Sequence, residues 1–61
     1  MNMREALQYK PTTRFKITYT YNDMQRCCVD TLTEFLREMS QLSYKEMAYV
    51  IERASFRKFN K

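Results

Sequence analysis

The stretch RFKITYTYND, residues 14–23, alternates with a period of two: Phe15, Ile17, Tyr19 and Tyr21 fall on one side, Arg14, Lys16, Thr18 and Thr20 on the other. Aromatic and β-branched residues alternating with polar ones specify a half-buried strand over residues 14–21. The apolar side is made for a core. What the Lys-Thr-Thr side is for has to be read from the rest of the chain.

That chain has 61 residues, room for one domain that buries too little surface to be comfortably stable alone. A disulfide framework is excluded, because the only cysteines, Cys27 and Cys28, are adjacent and have no third thiol to bridge. A structural metal is not expected either, since there is no histidine and two neighbouring thiols are not a spaced ligand set. Dimerisation is the remaining staple.

The absence of glycine removes phosphate-cradling loops and dinucleotide fingerprints, which need backbone that approaches a ligand closely. Without histidine the usual near-neutral proton shuttle is missing. The expectation is therefore a binding protein without cofactor, not an enzyme. The longest apolar run, MAYVI at 47–51, is far short of a membrane span, and the charged start MNMREALQYK lacks the apolar stretch of a secretory signal. A soluble, cytoplasmic protein with reduced thiols is expected, with no membrane partner.

Residues 1–13 read as a flexible arm with one helical turn in MREALQ, and residues 14–61 as the folded domain. Asn22 and Gln25 have capping-box spacing, which predicts a helix from about Asp23 to Ser40. At 100° per residue, Met24, Cys28, Val29, Leu32, Phe35, Leu36 and Met39 form its apolar stripe. Ser43 and Glu46 make a second capping box, predicting a helix from about Tyr44 to Lys58 with Tyr44, Met47, Val50, Ile51 and Ala54 inward. Tyr49 and Phe56, seven residues apart, lie on a different side and read as a partner surface.

Charge is sorted along the chain. Residues 1–21 carry Arg4, Lys10, Arg14 and Lys16 against Glu5, and residues 43–61 carry Lys45, Arg53, Arg57, Lys58 and Lys61 against Glu46 and Glu52. Residues 22–42 are net acidic, with Arg26 and Arg37 against Asp23, Asp30, Glu34 and Glu38. Of the formal net charge of +4, the arm, strand and second helix thus hold the share that a polyanion would meet, whereas the first helix would be repelled by one.

A single strand followed by two helices exposes unpaired backbone edges and half a core, which a second copy would complete. In this pattern residues 14 to about 58 resemble the ribbon-helix-helix family of small dimeric DNA-binding proteins. The resemblance implies a small α+β, strand-helix-helix fold, completed as an intertwined homodimer through a two-stranded antiparallel ribbon that enters the major groove of double-stranded DNA. Carried onto FKITYTY, it places Lys16, Thr18 and Thr20 toward base edges, while Phe15, Ile17, Tyr19 and Tyr21 join the dimer core. It also implies phosphate contacts from Arg14 and from Ser43, Tyr44 and Lys45 at the start of the second helix. The function so implied is transcription regulation. The competing expectation is a small protein of phage or mobile-element type that binds and inhibits a host protein through its strand edge or the Tyr49 and Phe56 face.

Overall fold

The structure is a computed structural model and describes residues 1–59. Lys61, counted above with the basic C-terminal segment and the end of the expected domain, lies outside the described residues. Residues 14–21 form the expected strand, β1 (Arg14–Tyr21). The segment after it is not a helix. Asn22 and Asp23 take positive φ angles of 52° and 61°, the left-handed pair of a two-residue hairpin turn whose twist matches the flanking strands. The chain therefore reverses into β2 (Met24–Thr31), paired antiparallel with β1 one residue to one from Tyr21↔Met24 to Arg14↔Thr31.

The first helix, expected from Asp23, starts instead at Leu32 as α2 (Leu32–Met39). Thr31 is its N-cap: Glu34 donates its N–H to the Thr31 hydroxyl at 3.2 Å, and the Glu34 carboxylate accepts the Thr31 N–H at 3.0 Å. The second helix begins where Ser43 and Glu46 place it, as α3 (Tyr44–Arg53), but ends five residues before Lys58. Ala54 turns extended, with φ −71° and ψ 147°, and β3 (Ser55–Lys58) pairs with the other edge of β1. A short helix α1 (Met3–Ala6), capped reciprocally by Asn2 and Glu5, precedes them all.

The result is a small α+β fold with a three-stranded antiparallel sheet in the order β2-β1-β3. This departs from strand-helix-helix order, and the departure has a consequence for the dimer. Over Phe15–Thr18 β1 already carries a strand on each edge, so that stretch of its backbone has no free edge for an intermolecular ribbon. Two of its inward residues are also already taken up inside the chain and not left for a dimer core. Phe15 and Ile17 are fully buried within the chain, against Phe35, Met39, Val50, Ala54 and Phe56.

Three aromatic contacts organise that core: Phe15 on Phe56 and Phe35 on Phe56 meet edge to face at 6.2 and 5.7 Å, and Tyr19 meets Phe35 at 5.5 Å. Such T-shaped pairs align the positive edge of one ring with the negative face of the next. The segment expected as an arm is docked: Ala6 is buried, Tyr9 packs edge-on to Phe15, and Met1 exchanges backbone hydrogen bonds with Phe56 across the outer edge of β3. No helix among the described residues is long and apolar enough to cross a membrane.

Candidate nucleic-acid interface

Residues directly opposite in a sheet share a face, so the register assigns every side chain. Phe15, Ile17, Tyr19 and Tyr21 share the inner face with Met24, Arg26, Cys28 and Asp30 of β2 and with Phe56 and Lys58 of β3. α1, α2 and α3 bury their apolar residues against this face. The outer face has Arg14, Lys16, Thr18 and Thr20 down the middle, Gln25, Cys27, Val29 and Thr31 on β2, and Ser55 and Arg57 on β3. No element among the described residues covers it: Arg14, Lys16, Thr20, Gln25, Cys27, Ser55 and Arg57 are all exposed.

Among the described residues, this open face carries three cations and no carboxylate. Lys16 stands directly across from Arg57, a like-charge pairing that disfavours the sheet in the absence of an anion. Glu34, in the first turn of α2, reaches the rim at Arg14. Its carboxyl is held below the usual range, first by the Thr31 backbone N–H and further by the Arg14 and Arg37 guanidiniums.

Lys16, Thr18 and Thr20 therefore lie together on the outer face beside Arg14. Arg57 completes the group. The sequence pattern missed Arg57, which sat within an expected helix; only its pairing with Lys16 across the third strand brings it to this face.

The other expected residues are dispersed. Ser43, Lys45 and Tyr49 border an open groove of about 510 Å3 between the hairpin turn and the start of α3, with Thr20 and Asp23 on its opposite wall. At the helix start the Ser43 hydroxyl is already occupied: it donates to the Glu46 carboxylate at 3.0 Å and accepts the Glu46 N–H at 3.2 Å. A phosphate at this helix start would meet that carboxylate, which already complements the helix dipole. Tyr44, expected both in the core stripe and on phosphate, is 81 % exposed and outside the groove lining.

Tyr49 and Phe56 are not one surface. Phe56 is 1 % exposed, in the core on β3, whereas Tyr49 is on α3 with the Arg53 guanidinium 3.9 Å over its ring. The cysteines are also split by strand alternation: Cys27 is exposed on the outer face, and burial, with Asp30 beside it, pushes the inward Cys28 thiol up to about 12. No cluster of three potential metal ligands occurs among the described residues. No family model, curated protein or solved structure matches the chain.

Proposed function

We propose that this protein is a small, non-enzymatic DNA-binding regulator that lays the open face of its sheet on double-stranded DNA. The observation that carries the reading is the outer face itself: Arg14, Lys16 and Arg57 with Thr18 and Thr20 between them, and Lys16 opposed to Arg57 in register. Cations kept together against their own repulsion gain most when an anion lies on them.

Duplex DNA is favoured over single strands by what the face lacks. Single-stranded nucleic acid is held largely by bases stacking on aromatic rings, and every tyrosine and phenylalanine of β1 and β3 points inward. In the major groove lysine can donate to guanine acceptors, and threonine offers a hydroxyl to either base pair and a methyl to thymine.

The test is fluorescence anisotropy with labelled duplex and single-stranded oligonucleotides of equal length at low salt. Duplex should bind more tightly. Combined replacement of Lys16, Thr18 and Thr20 by alanine should weaken it, whereas Lys45→Ala should have little effect. Equal affinity for single strands, or indifference to the triple replacement, would refute the reading.

A further inference from the structure

We propose that the free edge of β2 is a self-pairing surface whose occupant is a second copy of this chain, joined antiparallel about a two-fold axis at Cys28. Arg26 of each copy then faces the partner's Asp30. The interface deepens the regulator reading but rests on strand geometry, so the two can fail separately.

The direction of the backbone groups is fixed by hydrogen bonds at the far side of the sheet. Phe56 uses both its N–H and its C=O on Met1, so the Ile17↔Phe56 pair is a non-hydrogen-bonded one and the Ile17 groups point toward β2. Cys28, opposite Ile17, therefore points its groups inward to β1, as do the other even-numbered residues of β2. Gln25, Cys27 and Val29 present theirs to solvent.

This edge lacks most of the usual protection. β2 runs eight residues in unbroken one-to-one register, without a bulge, proline or lysine, and such an edge is a template for another strand. Its charged inward side chains are Arg26 and Asp30, which blunt pairing in general but match each other when the strand meets itself antiparallel. Placing the axis at Cys28 sets Arg26 opposite the partner's Asp30 at both ends and lets Cys27 and Val29 exchange backbone bonds with the partner's Val29 and Cys27. Moving the axis to Cys27 sets Arg26 against the partner's Cys28 and Met24 against the partner's Asp30. Only the Cys28 axis pairs the charges, and opposite charges directly across a sheet are favourable where like charges are not. Because both inner faces stay on one side, the outer faces join into one six-stranded surface with its cations doubled.

Sedimentation velocity over a concentration series tests this. The wild-type chain should sediment with twice its 7.5 kDa mass. Asp30→Arg, which opposes guanidiniums at both ends, should raise the dissociation constant at least about tenfold, and the double exchange R26D/D30R should restore it. Cys27→Pro removes an outward N–H that no strand of the same chain uses, and it should give a folded monomer by circular dichroism. A wild-type chain that stays at 7.5 kDa at millimolar concentration, or an Asp30→Arg variant that associates as well as wild type, would overturn the proposal. So would a double exchange as weak as the single, or a folded Cys27→Pro variant that still dimerises, the latter deciding the matter if Asp30→Arg fails to fold.

Discussion

Replacing Arg57 with glutamate turns the Lys16–Arg57 cross-strand pair from like to opposite charge, and should stabilise the fold while damaging DNA binding. The pair is directly in register on β1 and β3, where facing Cβ atoms are ~5 Å apart and a favourable pair contributes about 0.2–1 kcal/mol. Both side chains are exposed, so solvent screening keeps the swing from repulsion to attraction near about 1 kcal/mol at low salt. For a domain of this length that raises Tm by about 4–8 °C. In 1 M salt, where the screening length falls to about 3 Å, the gain should vanish. The same variant loses one phosphate partner and gains a carboxylate on the face, so duplex affinity at low salt should drop at least about tenfold. Thermal melts by circular dichroism at low and high salt, with anisotropy titrations on the same samples, measure both arms. A variant that melts at or below wild type, or binds duplex as well, would refute the reasoning.

The turn, the core and the titrating groups give further expected outcomes. Asp23→Gly should stabilise the hairpin by up to about 1 kcal/mol, because φ of 61° is cheap for glycine, whereas Asp23→Val should destabilise it; chemical denaturation reads both. Phe35→Ala removes a fully buried ring that touches Tyr19 and Phe56, costs about 3–5 kcal/mol, and should leave little cooperative unfolding in a chain this small. Since the folded Glu34 carboxyl sits below its ordinary value of 4.5, it contributes stability above that pH that is lost as pH falls through the folded value; Glu34→Gln should flatten this acid limb in a pH series of melts. Cys28 works in the opposite direction. Its thiol is held near 12 against an ordinary 9.0, so the unfolded chain ionises first and stability falls as pH rises above about 9. Cys28→Ser should remove that alkaline slope.

The β1 strand was legible because a period of two admits no helical reading, and α3 was legible at its start because Ser43 and Glu46 form their capping box as the spacing requires. β2 was not, and the reason is arithmetic: residues four apart share a face in both a helix and a strand. Met24, Cys28 and Leu32 therefore extended the true stripe of α2 backward into a strand. Asn22, read as a helix cap, instead supplies the first left-handed residue of a hairpin turn, a role asparagine fills for the same reason that it caps: a short polar side chain. Phe56 was misplaced because seven residues from Tyr49 is two helical turns, and nothing in SFRK alone opposes that reading. Long-range pairing decides it, through Ile17↔Phe56. Of the candidate site, Lys16, Thr18, Thr20 and Arg14 could be grouped from alternation along one strand, but Arg57 joins them only through the third strand. The free edge of β2 was invisible while β2 was read as a helix.

Contact between the outer face of the sheet and DNA phosphate is tested most directly by the salt dependence of duplex binding. With two phosphates met by Arg14 and Arg57 while Lys16 reaches a base edge, a plot of log affinity against log salt should have a slope of about −1.8 per chain, from about −0.9 for each phosphate neutralised. Arg57→Ala should reduce that slope by close to one phosphate's share. A slope near zero, or one unchanged by Arg57→Ala, would contradict such contact.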